Sequence, residues 1–135
     1  MNTNTKSVRM LEDLQIKLSA LWVALMLIYL LGDVMRIFSG DFVAGDMGGM
    51  QATQEMYLGM AILFVIPIVM VFLSLTLPDS VNRWANIIVA IVFFGVNLIG
   101  LPTYPSAYDI FLNIVGLGFN VLTVWYAWKW PKQEG

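Results

Sequence analysis

The chain has 135 residues, 59% of them hydrophobic and 12% charged, and a formal net charge of −2. Soluble domains run at about 45–50% apolar and about 25% charged residues, so this balance, with a mean hydropathy of +0.78, describes a chain solvated by lipid. The absence of His and Cys excludes disulfide scaffolds, Cys/His zinc centres, iron–sulfur clusters, thiol nucleophiles and Ser–His catalysis, and no basic run supports nucleic-acid binding.

The first apolar block runs from about Ile16 to Phe38 and is free of charge between Lys17 and Asp33. Lys6, Arg9 and Lys17 precede it as they would in a signal peptide, but it continues through Gly32-Asp33 and lacks a small-x-small cleavage site. An uncleaved first span is expected. The longest connection, 39–54, carries Gly40, Gly45, Gly48 and Gly49 and is expected to be either mobile or folded over the mouth of the bundle. The second block, Met56 to Leu77, holds no charge and has a kink expected at Pro67. Leu77-Pro78-Asp79-Ser80 stops it, and Asp79 or Ser80 is the expected cap of the third helix. The third block extends from Trp84 to about Leu101, Pro102 and Pro105 make a turn, and the fourth runs from Ile110 to Trp128.

A helix needs about 20 residues, at about 1.5 Å each, to cross about 30 Å of hydrocarbon. In that medium each backbone amide must be satisfied within its own segment, so the blocks are helices. The expected fold is therefore all-α, a polytopic membrane protein whose four-helix transmembrane bundle has spans at about 16–38, 55–77, 82–102 and 108–130.

With the N-terminus inside, Lys6, Arg9, Lys17, Arg83, Lys129 and Lys132 all face the cytoplasm and Arg36 alone lies outside. The positive-inside rule then makes both termini cytoplasmic in a multi-pass protein of the cytoplasmic membrane. All five Trp (Trp22, Trp84, Trp125, Trp128 and Trp130) fall toward the inner interface, and Tyr57, Tyr104 and Tyr108 toward the outer one. The outer acids, Asp41, Asp46, Glu55 and Asp109, have no recognised ion-binding spacing and are read as solvated charges.

In the fourth helix Asn113, Gly116, Asn120, Thr123 and Ala127 recur at steps of three and four, and Asn86, Ala90, Phe93, Asn97 and Gly100 do so in the third. Small and polar residues on one face mark the protein-facing side. The first helix contributes Trp22, Met26, Tyr29, Asp33 and Arg36, whereas the second is almost wholly apolar and is expected to supply mostly lipid-facing packing. Counting residues from the helix ends puts Asp33, Asn97 and Asn113 at similar depth in the outer half, with Tyr29 one turn below Asp33. The candidate polar cluster is Asp33, Arg36, Tyr29, Asn97, Asn113 and Asn120.

An intramembrane carboxylate costs roughly 2.5–3.5 kcal/mol at the helix centre, which makes Asp33 a candidate proton or cation site. The competing and favoured reading pairs it with Arg36 at i+3, near the headgroups. Tyr108-Asp109 and Leu30-Leu31-Gly32-Asp33 echo the paired carboxylates of intramembrane aspartyl proteases. Here, however, the first glycine is missing, the order is reversed and Asp109 is expected at the interface. Enzyme chemistry is therefore not expected, and neither a metal nor a cofactor is implied.

At Asn82-Arg83-Trp84-Ala85-Asn86-Ile87-Ile88 and Val124-Trp125-Tyr126-Ala127-Trp128-Lys129-Trp130 the chain resembles a group of short prokaryotic four-helix membrane proteins classed as a domain of unknown function. Lys17-Leu18-Ser19-Ala20-Leu21-Trp22, Gly32-Asp33-Val34 and Ile66-Pro67 fit the same pattern. Some members carry a carboxylate just before the Ile-Pro, a place held here by Val65. The resemblance implies fold and a prokaryotic membrane location, and it lends no activity. The expected role is an interaction or accessory one, as a homo-oligomer or as a subunit of a larger membrane complex. The alternative is a small transporter or channel for a proton, cation or small polar solute, using Asp33.

Overall fold

The computed structural model describes residues 3–130. In chain order these form α1 (Thr3–Ser39), β1 (Asp46–Met47), β2 (Met50–Gln51), α2 (Gln54–Thr76), α3 (Asp79–Gly100), a 3-10 turn (Leu101–Thr103) and α4 (Ala107–Trp128). Each of the four α-helices is long and apolar enough to cross a membrane. The architecture is an all-α four-helix membrane bundle. One end of it, the turn end, holds the α2–α3 connection; the other, the loop end, holds the β-hairpin and the α3–α4 connection.

α1 has 37 residues, about 55 Å at about 1.5 Å per residue, and so begins well before the apolar block at Ile16. No Gly or Pro interrupts residues 3–15, and Lys17 closes an i,i+4 ion pair with Asp13 at 3.0 Å. α2 starts at the Thr53 cap, whose side chain accepts from the Met56 amide at 3.2 Å, and it continues as helix through Pro67. α3 starts directly after Pro78 without a side-chain cap. Asp79 therefore stands inside the first turn rather than capping it.

The 39–54 connection folds into a small hairpin that pairs Asp46 with Gln51 and Met47 with Met50. Its two-residue turn, Gly48-Gly49, has φ of 60° and 88°, the left-handed region that hairpin turns need and that glycine supplies without a Cβ clash. Asp46 Oδ1 accepts from the Gly49 amide at 3.0 Å.

α1 packs against both α2 and α4, and α3 packs against α4, while α2 and α3 touch only sparsely. The dry core lies toward the turn end, where Leu18, Ile87, Ala127 and Trp130 form one cluster and Trp22, Leu25, Met70 and Ala90 the next. A polar knot binds α1, α2 and α3 there. Asn86 Oδ1 accepts from Trp22 Nε1 at 2.7 Å and from Ser74 Oγ at 3.1 Å. Asn86 Nδ2 donates to Asn82 Oδ1 at 2.7 Å, and Asn82 Nδ2 to the Ser74 carbonyl at 2.8 Å. Ser19 Oγ adds a bond to the Val71 carbonyl at 2.8 Å.

Trp22 and Trp130 are 0% and 4% exposed and belong to the core; for Trp22 the Asn86 side-chain carbonyl gives the indole N–H a buried acceptor. The other three Trp are exposed. α2 is mostly uncovered, as expected, but it buries Pro67, Met70 and Ser74, since Ser74 joins the knot.

Candidate functional site

The loop half of the bundle is hollow. All four helices line a pocket of about 530 Å³ there. Five of the six sequence candidates, Tyr29, Asp33, Arg36, Asn97 and Asn113, are on its wall. Helical spacing explains why: 29, 33 and 36 recur at steps of four and three on α1, so they share a face. Asn97 Nδ2 donates to the Tyr29 hydroxyl, joining α3 to α1. Phe64 meets the Tyr29 ring edge-on at 5.7 Å and so brings α2 into the same wall. Gly116 of α4 packs against this wall, where a Cβ would make ordinary contacts at 3.6 Å from Leu25 and 3.8 Å from the Tyr29 ring.

Arg36 does not pair with Asp33. Its Nε donates to Asp109 Oδ2 at 2.9 Å, and its guanidinium lies 4.6 Å from the centre of the Tyr104 ring. Asp109 is only 5% exposed, so the reading of it as a solvated interfacial acid is also corrected. The cause is topological. The Pro102/Pro105 turn starts α4 directly beside the last turns of α1, and Gly32 leaves a hollow there, with Asp109 Oδ1 3.8 Å from where a Gly32 Cβ would be. Asp33 itself makes no hydrogen bond and no ion pair within 4 Å among the described residues, and it remains exposed at the pocket.

Asn113 is 7% exposed, and its Oδ1 is buried without a hydrogen-bond partner. Asn120 is not on this wall. It is 0% exposed, its side chain lies close to the Tyr29 hydroxyl, and it borders a separate groove of about 390 Å³ between α3 and α4 with Phe94, Val121 and Trp125. No residue of the 40–54 connection lines the loop-end pocket, so the hairpin does not cover it. Among the described residues no group of three acidic side chains is placed to hold a metal ion.

Beside the pocket, Asp41 anchors the start of α4. Its Oδ2 accepts from Ser106 Oγ and from the Tyr108 hydroxyl, each at 2.6 Å, and that hydroxyl lies 2.7 Å from Ser39 Oγ. The Ser106 bond foremost, then those of Tyr108 and Ser39, hold the Asp41 carboxyl below its ordinary range. A folded value below the unfolded one gives a contribution complete above the unfolded value, about 3.9, and lost as pH falls through the folded value. An NMR titration of the Asp41 carboxyl carbon in micelles is expected to give a midpoint below that of a solvated aspartate. In Ser106→Ala the midpoint moves back up.

Two roles escape a reading of the sequence: Asn82 as a knot residue and Asp109 as a buried ion-pair partner. Each had a signal. Asn82 and Asn86 form an i,i+4 amide pair, a spacing that marks one shared polar face. Arg36, the lone cation at the loop end, called for an acid brought there by another helix.

No curated protein and no solved structure matches this chain. A family model does match, over residues 6–135. The chain thus belongs to DUF6326, a family of unknown function whose model covers nearly all of it.

Proposed function

We propose that this membrane protein binds a small solute in the loop-end pocket and passes it along or across the bilayer, with Asp33 as the charged contact. One observation carries the reading: a carboxylate without a hydrogen-bond or ion-pair partner stands on the wall of a cavity of about 530 Å³ shared by all four helices. An ionisable group at membrane depth is costly to keep there, and a role in binding is the ordinary compensation. The cavity volume lies within the range of about 300–1,000 Å³ usual for ligand pockets.

In this reading the turn end is cytoplasmic and the pocket faces outward. Lys6, Arg9, Lys17, Arg83 and Lys129 favour that orientation by the positive-inside rule; Lys132, counted with them in the sequence, lies outside the described residues. Arg83 and Lys129 support an interfacial setting by resting on tryptophan rings, Arg83 at 5.3 Å from Trp128 and Lys129 at 3.7 Å from Trp125.

A second reading, an accessory or homo-oligomeric role, draws on the apolar α3–α4 groove lined by Phe94, Val121, Trp125 and Trp128, where a further helix would bury apolar surface. Asp33→Asn separates the two readings in reconstituted vesicles. The pocket reading expects cation or solute flux to be lost while yield and oligomeric state stay as in the wild type. Unchanged flux, or loss of assembly in its place, supports the accessory role and overturns the pocket reading.

A further inference from the structure

We propose that the solute is an amphiphilic amine, a small organic monocation whose ammonium group is received by Asp33 and whose apolar body lies against the pocket wall. This inference rests on the solute-binding reading above and names the solute's chemical class.

Charge balance on the wall comes first. Asp33, Arg36 and Asp109 are its charged side chains. Arg36 and Asp109 are engaged with each other at 2.9 Å, and the guanidinium is further committed to the Tyr104 ring. That pair is neutral as a unit, so Asp33 leaves the pocket with a net negative charge. An anionic solute would meet this carboxylate with no free cation to offset it.

Hydrogen-bonding capacity points the same way. An ionised carboxylate accepts hydrogen bonds and donates none, so Asp33 on the wall calls for a ligand that brings N–H donors, and a protonated amine brings two or three of them on one positive centre.

The rest of the wall decides between an inorganic and an organic cation. Metal ions of the Ca²⁺ type need about six to eight oxygen ligands, and among the described residues no acidic cluster provides them. The pocket is instead walled by Met26, Leu30, Met60, Phe64, Val96 and Leu112. These side chains favour burial of apolar surface, which suits the apolar body of an organic cation.

The test uses the full chain in detergent micelles with three probes of one size: phenethylamine, protonated at neutral pH, phenethyl alcohol and phenylacetate. Equilibrium dialysis or calorimetry is expected to show saturable binding of the amine, with the alcohol and the carboxylate at least about tenfold weaker, because a charge-assisted hydrogen bond is lost. Asp33→Asn should weaken the amine by at least about the same factor, and Asp33→Glu should largely retain it. Size-exclusion profiles establish that each variant remains folded, and the three-probe comparison on the wild type stands even if one does not. Equal binding of the alcohol, tighter binding of phenylacetate, or indifference of the amine to Asp33→Asn in a folded variant would overturn the amine assignment alone. Failure of all three probes to bind overturns the solute-binding reading with it.

Discussion

Asp109→Leu should be among the most destabilising single changes in the loop half, with a loss of roughly 3 kcal/mol measured by thermal or steric-trap unfolding in micelles. The side chain is 5% exposed and holds Arg36 at 2.9 Å, so its removal leaves a partly buried guanidinium against the Tyr104 ring without its counter-charge. Arg36 keeps 31% side-chain exposure and can turn partly toward the headgroups, which places the figure at the lower end of the usual range for a broken buried pair. The reverse change, Arg36→Met, abandons a more deeply buried carboxylate and should cost at least as much. Combining the two should restore most of the loss, because the apolar pair carries no desolvation penalty. Strict additivity in that cycle would show that the pair contributes nothing as a pair.

At the opposite end, Asn86→Leu is expected to lower stability by about 2–3 kcal/mol while leaving solute binding in the loop-end pocket intact. One side chain there serves Trp22, Ser74 and Asn82. Its loss strands an indole N–H, a hydroxyl and an amide oxygen in a region where Trp22, Ser74 and Asn82 are all 0% exposed. A single interhelical hydrogen bond in a membrane averages about 0.6 kcal/mol, and each stranded buried group adds to that. The expected size comes from several groups failing together. Trp22→Phe removes only one of these bonds and should cost about 1 kcal/mol. An Asn86→Leu protein as stable as the wild type would mean the knot is incidental to folding.

The helices themselves were legible because lipid imposes one rule on every backbone amide. Length and apolarity then identify the spans almost unaided, as at α2, where Met56 to Leu77 predicts Gln54–Thr76 to within two residues. The faces of α3 and α4 were legible as well: Asn86, Ala90, Phe93 and Asn97 are buried together, as are Asn113, Gly116, Asn120 and Thr123. Pairing across helices was not. Local spacing offers Arg36 an acid at i−3, yet the acid it uses is 73 residues away, and nothing in a single chain says which helix ends α4 will start beside. The same limit hid the split between Asn113 and Asn120. They share one face of α4, but the two turns between them are enough to put one in the loop-end pocket and the other at the α3–α4 groove. In the 39–54 connection the glycines were visible, and the hairpin they permit depends on both Gly48 and Gly49 taking positive φ.

The unequal filling of the two halves has a mechanical consequence. The turn half is knotted by Asn82 and Asn86 and packed around Trp22, and a close-packed interior has little capacity to shrink. The larger of the two hollows, the one enclosed by all four helices, sits in the loop half. Pressure acts where volume can be lost, so compression should act on the hollow of the loop half and leave the turn-end joint of α2 and α3 in place. The molecule is in that sense a pair of tongs, stiff at the hinge and compliant at the tips.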